Sequence, residues 1–85
     1  MLILDDSYAP STITVAVNDT VTWQVYATHF HSVTSDSGLF DSSPPCPSYG
    51  CLGPGAEYVY KFTAAGTYNY HCKVHATMHG TVKVT

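Results

Sequence analysis

Apolar residues recur at every second position along this chain, and no stretch of ten or more residues carries a helical period. Ile13, Val15 and Val17 alternate with polar or small residues, as do Val21, Trp23 and Val25, then Tyr68, Tyr70 and Cys72, and finally Val82 and Val84. A period of two marks a strand with one buried face, because successive side chains leave a pleated backbone on opposite sides. Leu2 to Leu4 and Tyr58 to Phe62 read as further strands. The Asn18-Asp19 turn predicts a hairpin over Ser11 to Val25. Several short strands, each with an apolar face to cover, need two packed layers, so the expected fold is an all-β Greek-key β-sandwich of two sheets.

The 85 residues are expected to form a single domain, 1–85, with a thin core. With 45% hydrophobic and 11% charged residues, the composition excludes a disordered tail. Three lysines and no arginine against six acidic residues give a net charge of -3, which excludes the phosphate-contacting surface of a nucleic-acid binder. No apolar run approaches the roughly 20 residues of a membrane span. Met1 leads straight into an apolar strand without a basic leader region, so the expectation is that any secretion signal has been removed and that Met1 replaces a longer leader. Between Thr34 and Glu57 the composition shifts to Ser, Pro, Gly and Asp; this is read as a long surface excursion anchored by Leu39, Phe40, Tyr49 and Leu52.

The chemistry concentrates at the end of the Thr67–Cys72 strand. Cys72-Lys-Val-His75-Ala-Thr-Met78 places a thiolate, an imidazole and a thioether within seven residues, and His31 follows the Val21–Val25 strand. Two imidazoles, one thiolate and a weak thioether are the donor set that suits copper in both of its oxidation states. A strand end followed by a tight loop can fold His75 and Met78 back toward Cys72, whereas ligands along a straight strand would splay apart.

On these residues the chain resembles the cupredoxins, the small type 1 copper proteins, in their plastocyanin, amicyanin and pseudoazurin group. The likeness runs through Tyr8-Ala-Pro10, Ile13-Thr-Val-Ala-Val17, Asn18-Asp-Thr-Val-Thr-Trp23, His31-Ser-Val33, Gly66-Thr-Tyr-Asn-Tyr-His-Cys72 and Cys72-x-x-His75-x-x-Met78, the short loop spacing being similar to that of amicyanin. The resemblance implies one type 1 copper per chain, with His31, Cys72 and His75 as strong ligands and Met78 as a long axial one. It implies one-electron transfer rather than catalysis, with the ring edge of His75 as the electron port. Two positions depart from the family pattern: Ser32 stands where many members carry Asn, and Val74 where Pro is frequent. Val74 leaves a backbone N–H that could donate to the Cys72 sulfur and raise the reduction potential.

Cys46 and Cys51 enclose a compact turn and are read as a local disulfide, a second metal site or free thiols being the alternatives. A staple of this kind favours an exported location, the periplasm or the outer face of a prokaryotic membrane. His29, His71 and His79 are read as exposed histidines near a sheet end, His71 pointing away from the face used by Cys72. The sharper alternative is that His71-Cys72 mimics the pair that bridges two copper centres in copper nitrite reductases and multicopper oxidases. That would make the chain a subunit of a copper enzyme; a copper storage or delivery role is the third reading. The leading expectation is a monomeric carrier that docks transiently on redox proteins near His75, over a patch including Ala76, Pro10 and Val33.

Overall fold

The computed structural model describes residues 1–75 and 77–85, and among these there is no helix. Eight strands follow one another: β1 (Leu2–Leu4), β2 (Ser7–Ala9), β3 (Thr12–Val15), β4 (Thr20–Val25), β5 (Thr34–Ser35), β6 (Glu57–Lys61), β7 (Gly66–His71) and β8 (His79–Val84). They form two four-stranded sheets, ordered β2-β1-β4-β6 and β3-β8-β7-β5. The all-β two-sheet sandwich is the fold expected from the alternation.

The predicted hairpin over Ser11 to Val25 does not form. The turn is there, with Asn18 in the left-handed region at φ 75 and the Asp19 N–H donating to the Ala16 carbonyl at 3.0 Å. However, β3 pairs in parallel with β8 in one sheet, while β4 pairs with β1 in parallel and with β6 antiparallel in the other. Val21, Trp23 and Val25 reach the core from one layer, and the half-buried Ile13 and Val15 pack against it from the other. Alternation specifies that each strand has an inner face. It does not specify which sheet the strand joins, and here the turn at Asn18 carries the chain from one layer to the other.

Trp23, Tyr70, Phe62, Ile3, Val33 and Val82 fill the core at 1% exposure or less. Trp23 meets Tyr70 edge-on, with ring centroids 5.5 Å apart, and Tyr70 meets Tyr8 at 4.7 Å. Such perpendicular pairs set the positive edge of one ring against the negative face of the other. The Tyr70 ring lies across Gly80, its register partner on β8, so closely that any Cβ there would collide with the ring carbons and the hydroxyl. The excursion after β5 returns through an isolated bridge between His31 and Leu52. Phe40 is its buried anchor and Leu52 a partly buried one. Leu39 and Tyr49, also expected to anchor it, are exposed at 52% and 73%, because the segment turns them outward. Cys46 and Cys51 are joined in a disulfide.

Candidate metal centre

The sandwich brings His31, Cys72 and His75 to one end. Strand alternation continues past the last residue of β7: Tyr70 and Cys72 turn inward with 0% exposure, while His71 between them turns outward. His31 is held from the opposite direction. Its N–H donates to the Leu52 carbonyl at 2.9 Å and its own carbonyl accepts the Leu52 N–H at 2.8 Å, fixing a fully buried imidazole. The loop after Cys72 closes on itself: the Met78 N–H donates to the His75 carbonyl at 2.9 Å, and the Cys72 N–H donates to the Met78 carbonyl at 3.1 Å. This places Met78, 1% exposed, just before β8 across from Cys72 and leaves His75 partly open to solvent.

Cys72 Sγ lies 3.8 Å from His31 Nδ1 and 3.9 Å from His75 Nδ1, and the three donor atoms all fall within 4.8 Å of one another. Metal–nitrogen bonds of about 2.0 Å and a metal–thiolate bond of about 2.3 Å, opened to a trigonal angle, require a nitrogen–sulfur separation of about 3.7 Å. The side chains therefore already stand at the spacing one ion needs, with soft sulfur and imidazole nitrogen in the combination that copper favours.

The surroundings hold the imidazoles in the form a metal accepts. Burial lowers the pKa of His31 below its ordinary value even though Asp5 opposes the shift, which keeps the ring neutral. Behind each ring stands a carboxylate from the β1–β2 turn. Asp5 Oδ1 is 3.4 Å from His31 Nε2, and Asp6 Oδ1 is 3.4 Å from His75 Nε2. Asp5 is itself fixed by the Thr28 hydroxyl at 2.8 Å and the Thr28 and His29 N–H groups, each at 3.2 Å; led by the hydroxyl, these bonds hold its pKa near 2. A carboxylate at Nε2 favours the tautomer with its proton there, leaving the Nδ1 lone pair directed at the centre. Neither aspartate was singled out in the sequence, where Asp5-Asp6 reads only as a turn. The available signal was only the adjacent pair of carboxylates directly after the strand expected at Leu2 to Leu4.

Ser32 ties the two ligand segments together despite its short reach. Its Oγ accepts the Lys73 N–H at 2.9 Å, and its carbonyl accepts the Tyr8 hydroxyl at 2.6 Å. Burial, with Cys72 and Tyr70 adding, pushes the Tyr8 phenol far above its usual range, so it remains a donor. Lys73 points its ammonium away from the centre, to Asp41 and to the Ser43 and Pro44 carbonyls. The contact expected from the Val74 N–H to the Cys72 sulfur is not formed; the partners of that sulfur among the described residues are the two imidazoles. Of the other histidines, His29 and His79 are exposed, and His71 faces Asp36 on the outside of the sheet. Of the expected docking patch, Val33 is fully buried in the core and so has no face to offer, Pro10 is exposed, and Ala76 lies outside the described residues.

Comparison with known proteins agrees with this geometry. Residues 5–85 match the family model described as copper binding proteins, plastocyanin/azurin family. The plastocyanin of Scenedesmus fuscus is 35% identical over 83 residues, covering 91% of this chain and 85% of that protein. A chloroplastic plastocyanin from Tetradesmus obliquus is 34% identical over 75 residues, covering 80% of this chain and 50% of its own length. Among solved structures, an oxidised amicyanin variant is 29% identical, with a TM-score of 0.83 over 99% of this chain and 78% of the other. A purple cupredoxin from Nitrosopumilus maritimus is 28% identical, with a TM-score of 0.79 over 92% of this chain and 81% of the other.

Proposed function

The chain belongs to the plastocyanin/azurin family of copper-binding proteins, and we propose that His31, Cys72 and His75 are the strong ligands, and Met78 the weak axial ligand, of its single type 1 copper. The chain is an electron carrier and not an enzyme, as plastocyanin and amicyanin are. Copper bound there supplies one-electron exchange between Cu(I) and Cu(II). The observation that carries the ligand assignment is the convergence of one thiolate and two imidazole nitrogens within 4.8 Å at the end of the sandwich.

The protein's own contribution is to keep that arrangement the same in both redox states. Two ligands, His31 and Cys72, are fully buried and anchored to separate β elements, so neither moves without disturbing the core. His75 alone presents an edge outward, and it serves as the port through which the electron passes. Partners dock around it as a transient complex with a monomeric carrier. Phe30, Tyr49 and Val74, exposed at 58%, 73% and 39%, line one apolar depression between the ligand loop and the disulfide turn, and a surface of that kind excludes water without binding tightly. The Cys46–Cys51 disulfide supports an oxidising, exported compartment, and we place the chain in a periplasm or on the outer face of a prokaryotic membrane.

Titration with Cu(II), followed by visible absorption and electron paramagnetic resonance, tests the assignment. The expected result is an intense thiolate-to-copper band that saturates at about one copper per chain, with narrow hyperfine splitting, and bleaches reversibly with ascorbate. Cys72→Ser should abolish the band and His71→Ala should leave it. A pale spectrum in the unsubstituted chain would refute the ligand set.

A further inference from the structure

We propose that His71 and His79 form a second, separate cation site on the outer face of the β3-β8-β7-β5 sheet, taking a borderline divalent metal such as Zn2+. The two residues are register partners on antiparallel strands. The neighbouring Cys72 N–H donates to the Met78 carbonyl across the same strands, so Cys72 and Met78 occupy a hydrogen-bonded position and His71 and His79 a non-hydrogen-bonded one. That is the class of pair in which facing side chains approach most closely.

The rings are suited to share an ion. Their centroids lie 6.5 Å apart at an interplanar angle of 53°. With metal–nitrogen bonds of about 2.0 Å, two imidazoles on one ion stand about 5–6 Å apart, centre to centre. His79 is exposed, and binding one ion requires its ring to turn toward His71. His71 is already oriented: its Nδ1 lies 2.6 Å from Asp36 Oδ1, which holds the proton on Nδ1 and leaves the Nε2 lone pair for a metal. Asp36 is in turn tied to β7 by its N–H, which donates to the Asn69 carbonyl at 3.0 Å. Asp36, His71 and His79 line a depression of about 600 Å³, which leaves room for the waters that would complete the coordination. Lys73 also lines it, with its ammonium turned to Asp41 and to the Ser43 and Pro44 carbonyls. Paired imidazoles select Zn2+, Cu2+ or Ni2+ over Mg2+ or Ca2+. Because Cys72 turns into the core where His71 turns out, the two centres lie on opposite faces of β7.

The test is a Zn2+ titration of the copper-loaded chain against a chromophoric zinc indicator, run in parallel on Cys72→Ser so that the result does not depend on the copper assignment. In Cys72→Ser the two imidazoles of the emptied copper centre can also take Zn2+, so there one equivalent is expected to disappear when His71→Ala is added; in the copper-loaded chain one saturable Zn2+ is expected. It should be lost in His71→Ala and in His79→Gln, weakened 10–100-fold in Asp36→Asn, and kept in His29→Ala. The copper band of the His71, His79, Asp36 and His29 variants reports that each is folded; for Cys72→Ser, which lacks the band, far-ultraviolet circular dichroism does so. In the unsubstituted Cu(I) form, the ring proton signals of His71 and His79 should shift together with Zn2+. Equal affinity in His79→Gln, shifts confined to other histidines, or no saturable binding would overturn the proposal.

Discussion

Asp5 and Asp6 show how single side chains outside the ligand set shape the centre. Each places a carboxylate 3.4 Å from the Nε2 of one imidazole, so negative charge lies on the far side of both rings. Negative charge stabilises the more positive oxidised state. Asp5→Asn should therefore raise the reduction potential, read by voltammetry; Asp6→Asn should raise it less, since Asp6 is 67% exposed and solvent screens it. An unchanged potential in both variants would show that the carboxylates only position the turn. Ser32 works through the backbone instead. Ser32→Ala leaves the part-buried Lys73 N–H without its acceptor, which should cost about 1 kcal/mol in a denaturant melt. The proposed copper ligands were legible in the sequence because their chemistry is rare and their spacing tight. Asp5, Asp6 and the partners of Ser32 were not: carboxylates and serines are common, and what makes these matter is a distant neighbour, 24 positions away for Tyr8 and Ser32, 41 for Ser32 and Lys73, and farther still for Asp6 and His75.

At the scale of the strand, alternation predicted which side chains turn inward and said nothing about pairing. Tyr70, Cys72, Val82 and Val84 all face the interior as expected, yet β3 and β4 part into different sheets at a turn that reads as a hairpin. The partner of β3 is β8, nearly seventy residues on, and its register, Ile13 opposite Val82, follows from the closure of the whole sheet rather than from any local signal. Glycine positions carry similar non-local information. Gly80 is required because the Tyr70 ring occupies the space of its side chain. Gly80→Ala should force the ring off its packing and destabilise the protein by about 1–3 kcal/mol, measured as a shift in the urea midpoint. Because Tyr70 lies two residues before Cys72 on β7, the copper band of this variant should also broaden or shift, whereas an unchanged band and midpoint would show that the ring can step aside.

For the molecule as a whole, the question is what keeps the 34–57 excursion folded against the sandwich, since its composition suggested a long surface excursion held by a few apolar anchors. The structure ties it down at several points: Phe40 in the core, the His31–Leu52 bridge, the disulfide, and the Lys73 ammonium on Asp41, Ser43 and Pro44. The Lys73–Asp41 tie depends on pH in a defined direction. Burial raises the Asp41 pKa, but the hydrogen bond and charge of Lys73, with bonds from Ser43 and Thr34, outweigh it and hold the carboxyl below the ordinary aspartate value. A carboxyl depressed on folding contributes stability that is fully present above its unfolded pKa and is lost as pH falls through its folded one. Acid unfolding should therefore set in below about pH 4, and Asp41→Asn should flatten that part of the stability curve. The disulfide acts differently, through the unfolded chain. A bridge of sequence separation 5 closes a short loop, so removing it in the Cys46→Ser, Cys51→Ser pair should cost about 2 kcal/mol by loop-closure entropy. The copper band should survive, because Leu52 is held on His31 by two backbone hydrogen bonds of its own and Phe40 remains in the core. Loss of the band together with the stability would mean that the staple, and not the sandwich, positions His31.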